Sequence, residues 1–176
     1  MYRQFQFLFP VMLLLAILLA CQPIVVPTAQ PSTGEISFET LSLNETGDGV
    51  NVTLVTEETQ LLFVTSLDQV AALQQMVSAE DFVQLQQVDF QIEVVVALFR
   101  GVQGSSNSQT MIKEIKREDG RLVIQAEFWS PSPSYTSTAA LTYPYHLVTI
   151  AKVNLPVQDV EFTLERVMLT PTPPGK

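Results

Sequence analysis

The sequence predicts a mainly-β α+β domain, with a largely antiparallel sheet of seven or eight short strands and one helix. The sheet is either open or closed into a small barrel. Three observations carry this. Apolar and polar residues alternate at period two from Glu35 onward. Turn signals, Gly47-Asp48-Gly49 and Asp119-Gly120 among them, separate the alternating runs at hairpin spacing. Helical spacing dominates one stretch only. With 176 residues, 47% apolar and 15% charged, the chain can bury one core and is too apolar for intrinsic disorder.

The elements follow in order. Ile36 and Phe38 share one face and Leu41 and Leu43 the other, so the run from Glu35 to Leu43 changes phase at a bulge or a strand end. Val50, Val52 and Leu54 alternate with Asn51 and Thr53. Thr56-Glu57-Glu58-Thr59 then reverses the chain into the apolar run Leu61 to Val64. The helix starts at Ser66, with Gln69 three residues on as a capping-box partner, and Val70, Leu73 and Val77 give its buried face. Val94 to Phe99 is unbroken apolar sequence, as in a strand covered on both faces, and takes the central place. Gly101 to Ser108 is a flexible loop. Asp119-Gly120 marks a type I′ hairpin whose second arm sets Leu122, Ile124, Ala126 and Phe128 against Arg121, Gln125 and Glu127. Prolines 131 and 133 bar the connection Ser130 to Tyr135 from regular strand. Tyr145 to Val153 and Val160 to Met168 complete the set. No internal repeat is present.

The first 34 residues stand apart. Arg3 precedes a 14-residue uncharged stretch, Phe7 to Ala20, which is the pattern of a secretory signal and shorter than the about 20 apolar residues of a bilayer span. Leu18-Leu19-Ala20-Cys21 resembles the lipobox of bacterial lipoproteins, in which cleavage after Ala20 leaves Cys21 to carry a diacylglyceryl group. Residues 21–34 follow as a tether with prolines at 23, 27 and 31, and 35–169 form one globular domain. Residues 170–176 are a proline-rich tail. The processed chain has 156 residues and 8 basic against 18 acidic side chains, a charge of −10. Two acyl chains hold such a protein on a membrane stably where one does not. The expected location is extracytoplasmic, on the outer face of the cytoplasmic membrane or on an outer membrane where the host has one.

Composition excludes several chemistries. One cysteine and one histidine leave no disulfide framework and no His/Cys zinc set. A net charge of −9 speaks against nucleic acid, whose phosphates require Lys and Arg. His146 is the only group titrating near neutrality without a large shift, and no Gly-x-Ser-x-Gly elbow supplies a nucleophile for it. Beside Tyr143, Pro144 and Tyr145 it reads as a satisfied structural histidine. Asp89 reads as a carboxylate bonding nearby backbone amides. The adjacent pairs Glu57-Glu58 and Glu80-Asp81 point to opposite faces in a strand and do not chelate, and no EF-hand pattern appears. Asn44 and Asn51 open glycosylation-type triplets that are accidental in a bacterial lipoprotein. No cofactor and no metal is expected. The remaining signal is aromatic: Trp129, Tyr135, Tyr143 and Tyr145 cluster in sequence around the Ser/Pro connection, either capping the core or offering an interface or sugar platform.

From Ser66 to Lys152 the landmarks run in a recognisable order. A short helix leads to Val88-Asp89-Phe90, then to Val94-Val95-Val96-Ala97-Leu98-Phe99 with Gly101 after it. A hairpin and a proline-bearing connection precede Tyr143-Pro144-Tyr145-His146-Leu147-Val148. This stretch, roughly half the chain, resembles the C-terminal domain family of the protease complex subunit PrcB. The resemblance implies a lipid-anchored or exported protein and an accessory role beside a surface protease. Where family members carry a Gly-Gly-Tyr turn after the central strand, this chain has Gly104-Ser105-Ser106-Asn107. The aromatic of that turn is absent, so the resemblance speaks for the fold more than for a particular partner. The expected function is a non-enzymatic, lipid-anchored, protein-binding domain, with Trp129, Tyr135, Tyr143, Tyr145, Ser105, Ser106 and Asn107 as its partner-facing residues. A lipoprotein that binds a glycan or small ligand through the same aromatics is the alternative, and a hydrolase with an unrecognised site stands third.

Overall fold

A computed structural model describes residues 34–48, 50, 56–131, 140–155 and 161–169. The signal, residues 21–33 of the tether, the tail, most of the Val50–Leu54 run, Val160 and Tyr135 lie outside the described residues, and Gly34, expected as tether, opens the first strand. The elements are β1 (Gly34–Glu35), β2 (Glu39–Asn44), β3 (Gln60–Val64), α1 (Leu67–Leu73), α2 (Ala79–Gln86), β4 (Glu93–Phe99), β5 (Gln109–Glu118), β6 (Arg121–Trp129), β7 (Tyr145–Ala151) and β8 (Phe162–Leu169). They form two four-stranded sheets, β1-β5-β6-β8 and β2-β7-β4-β3, rather than one sheet or a closed barrel. Pairing is antiparallel throughout except between β6 and β8, which run parallel.

Period two explains the layers. On β4, Val94, Val96 and Leu98 enter the core between the sheets with Ile112, Ile115, Leu122, Ile124, Ala126, Phe128, Val148 and Ile150. Val95, Ala97 and Phe99 point the other way, against Val70, Leu73, Val77 and Leu85 of the helical segment. β4 is therefore covered on both faces and flanked by β3 and β7, which is why its stretch from Val94 to Phe99 holds no polar residue. The phase change predicted near Leu41 is a bulge: Thr40 pairs with Val148, and Ser42 pairs with Leu147. Asp119 (φ 48°) and Gly120 (φ 82°) both take the left-handed conformation, as a type I′ turn requires. The N-terminal run is split. After Ile36 N–H bonds Ile115 O at 2.7 Å, the chain leaves the first sheet and starts β2 in the second.

The helical segment corrects the expectation of one helix. α1 ends at Leu73, and Val77 is buried beyond a turn rather than on the same helix. α2 follows, capped by Ser78, whose Oγ accepts from Asp81 N–H at 3.1 Å and donates to the Asp81 carboxylate at 2.8 Å. Ser66 makes no side-chain cap; Gln69 Oε1 instead accepts from Thr65 N–H at 2.6 Å. Glu80 and Asp81 sit in the first turn of α2, where their charge suits the helix dipole, and not in a strand. No described helix is long and apolar enough to cross a membrane.

Candidate functional site

The sheets part at one end, between the edge strand β8 and the segment leading into β3. On β6, Leu122, Ile124, Ala126 and Phe128 face the other sheet. Their β8 neighbours Phe162, Leu164, Arg166 and Met168 share that face. Phe162 stacks on Phe63 with centroids 6.0 Å apart and closes the sandwich there. Further along, Arg166 and Met168 have no strand opposite them. A cleft of about 530 Å³ opens instead, lined by Glu57, Glu58, Thr59, Arg100, Gln103, Phe128, Ser130, Arg166 and Met168.

Arg100 follows β4 directly and is only 5% exposed. Its side chain turns from sheet to sheet: one Nη1–H bonds Gln109 O at 2.6 Å and another bonds Trp129 O. Nη2 donates to Ser130 Oγ at 2.5 Å, and the guanidinium lies 5.5 Å from the centre of the Phe128 ring. The backbone is held as firmly, with Arg100 N–H on Pro144 O at 3.0 Å and Thr59 Oγ1 on Arg100 O at 3.2 Å. Every acceptor is neutral, and among the described residues no carboxylate lies in ion-pair range of Arg100 or Arg166. Burial lowers the Arg100 pKa, though a guanidinium stays charged at any working pH. The cleft floor thus carries a guanidinium with no ion-pair partner among the described residues.

Local backbone chemistry frames the cleft. Gly101 has φ 86°, and a Cβ there would lie 2.5 Å from Glu57 O, so only glycine lets this turn pack on the 57–58 segment. Val102 N–H bonds Thr56 O at 3.2 Å, and Gln103 pairs with Thr142. Thr142 Oγ1 donates to Ser105 O at 2.8 Å, which fastens the Gly101–Ser108 loop to the strand entering β7.

The structure sorts the residues singled out from sequence. Trp129 is 39% exposed on the face of β6 opposite Phe128, turned away from the cleft, and Ser105 and Ser106 are half-buried with Asn107 exposed on the Gly101–Ser108 loop. Tyr143 and Tyr145 are not partner-facing. Tyr143 is buried under Gly47, and Tyr145 is fully buried between β7 and the helices. The Tyr145 hydroxyl donates to the Asp81 carboxylate and accepts from Ser78 N–H at 2.9 Å and Asn44 Nδ2 at 3.0 Å. Burial, then the Asp81 bond, raises its pKa. This is a saturated core network, so the aromatic set loses two of its four members, and Tyr135, Ala20 and Cys21 lie outside the described residues. His146 is buried, with Nδ1 accepting from Ile112 N–H at 2.9 Å and Nε2 3.0 Å from Thr40 Oγ1. With Nδ1 accepting, Nε2 carries the ring hydrogen and donates to the Thr40 hydroxyl, so the ring is not set as a base toward it. Asp89 Oδ1 accepts from Gln91 N–H at 2.9 Å and shapes the turn before β4. No group of three or more metal-ligating side chains occurs among the described residues. Sequence reasoning passed over Arg100, whose signal was a single arginine abutting six apolar residues and followed by a glycine.

The described residues thus form two sheets backed by helices, with a charged cleft beside β8. Residues 94–151 match the family model described as PrcB C-terminal, so this part of the chain is similar to that family. The match spans β4 to β7, about a third of the chain, and leaves α1 and α2 outside it, unlike the wider stretch from Ser66 to Lys152. No curated protein and no solved structure gives a significant match.

Proposed function

We propose that this chain is a non-enzymatic accessory subunit, held at the cell envelope by a lipid on Cys21, that binds a protein partner of the surface-protease type. The PrcB C-terminal match over 94–151 is the observation that carries this reading, because that family takes its name from a protease complex subunit. The lipobox-like Leu18-Leu19-Ala20-Cys21 and the tether to residue 34 supply the anchor, and the negative charge keeps the body off anionic headgroups. Met168 is an exposed apolar side chain lining the cleft beside Phe128, a composition suited to a protein interface. The glycan alternative weakens, since Tyr143 and Tyr145 are buried and, among the described residues, Trp129 is the one exposed member of the aromatic set. Chemical cross-linking in intact cells followed by capture of this protein tests the reading. A protease or other envelope protein recovered well above an unlinked control is expected. Recovery of no protein, with saturable binding of an envelope glycan instead, overturns it.

A further inference from the structure

We propose that the Arg100 cleft is a carboxylate-binding site, filled by a C-terminal carboxylate or by an Asp or Glu side chain of a bound segment. This names the chemistry recognised at the partner surface and rests on the partner-binding reading for the source of the ligand. Among the described residues, both Nη1 hydrogens of Arg100 are taken, by Gln109 O and Trp129 O, and one Nη2 hydrogen goes to Ser130 Oγ. Among the described residues the Nε–H and the second Nη2–H have no acceptor, and Nε is not sealed from the cleft. Arginine offers its donors as a planar fork whose spacing matches the two oxygens of a carboxylate. A buried cation whose partners are all neutral is stabilised by an anion that supplies the missing charge.

The surroundings sharpen the ligand class. Arg166 adds a second positive charge across the opening. Phe128 and Met168 give apolar contact beside the fork, which fits an aliphatic neighbour of the carboxylate better than a bare inorganic anion. Glu57 and Glu58 stand on the rim, exposed and outside ion-pair range of Arg100. They repel a multiply charged anion such as phosphate more strongly than a single carboxylate.

The test uses the full chain, ¹⁵N-labelled and purified in detergent, with the Arg100 Nε–H and, in every variant, the neighbouring Gly101 N–H resonance followed by NMR. Three probes are titrated: acetylated glycyl-leucyl-leucine with a free C-terminus, the same peptide as its C-terminal amide, and acetylated glycyl-leucyl-glutamate as its amide. A saturable shift with the first or third and none with the second is expected, and whichever of those two saturates at lower concentration identifies the source. Arg100→Lys, which keeps the charge and loses the fork, weakens binding about tenfold or more. Because that change sits at a buried position, Arg166→Gln on the exposed strand serves as the second variant and weakens binding about threefold. Equal shifts with carboxylate and amide overturn the proposal. So does silence of the unmodified protein toward both acids, whether or not Glu57→Gln/Glu58→Gln restores binding, since restoration means the rim fills its own fork. A partner captured in cells with all three peptides silent sinks the carboxylate site and leaves the partner reading standing. Peptide binding with no captured partner does the reverse.

Discussion

Acidification through the range of His146 erodes the stability of this domain by an amount that the structure sets. His146 is 2% exposed, and burial pushes its pKa down from 6.5 to about 4. Its Nδ1 accepts the Ile112 N–H, so the ring hydrogen sits on Nε2 and faces Thr40 Oγ1. Protonation at Nδ1 sets one N–H against another, and no carboxylate lines the shallow groove shared with Phe38, Thr40 and Lys113 to receive the new charge. The folded-state pKa lies below the unfolded one. Between the two values the unfolded chain holds more protons, and stability falls as pH falls. It is intact above the unfolded pKa of 6.5 and its loss is complete below about 4. At about 1.36 kcal/mol per unit, the full loss is about 3 kcal/mol, of which about 2.5 kcal/mol has gone by pH ~4.5. Urea unfolding of the native chain and of His146→Gln, each at pH ~7.5 and ~4.5, isolates the term, because carboxylate contributions are common to both proteins. The expected result is a pH-dependent loss larger in the native chain by about 2.5 kcal/mol. Equal losses in the two proteins would refute the reasoning and place the ring in contact with water.

Three further outcomes follow from the same structure. Val96→Asp puts a charge into the inter-sheet core between β3 and β7, with no partner in reach, and costs more than about 4 kcal/mol; a native-like melting temperature would remove β4 from the centre. Gly101→Ala must relieve both a positive φ and a 2.5 Å approach to Glu57 O, and lowers stability by about 2 kcal/mol in chemical denaturation, where an unchanged midpoint contradicts the described turn. Cys21→Ser prevents lipidation, so the protein is left unprocessed or released to the medium; unchanged membrane fractionation rejects the anchor.

Much of the fold was legible in residue patterns because burial imposes a period. The unbroken Val94–Phe99 run, the Leu122–Phe128 alternation, the phase change at Leu41 and the Asp119-Gly120 turn each encode a local geometry that the structure repeats. Division into two sheets was not legible, since alternation states which face is buried and not which strand lies alongside. Ile36 and Phe38 read as one strand although the chain changes sheets between them. The helix break after Leu73 escaped notice because Gln74, Gln75 and Met76 are good helix formers, and the cap that restarts the helix is Ser78 with Asp81. At the site, Tyr143 and Tyr145 looked like surface aromatics because tyrosine composition is silent on burial. A single residue discloses Tyr145's role only when Asp81, Ser78 and Asn44, far away in sequence, converge on its hydroxyl. Arg100 was hidden for the same reason: its acceptors, Gln109 O, Trp129 O and Ser130 Oγ, belong to strands that meet only in the folded domain.

In the proposed function a partner protein docks at the cleft end of the domain. A photo-cross-linking amino acid placed at Met168 in living cells, beside the same group placed at Val83 on the exposed side of α2, tests this directly. The predicted result is a discrete adduct with one envelope protein from position 168 and none from position 83. Absence of any adduct at 168, or the same adduct from both positions, would contradict it.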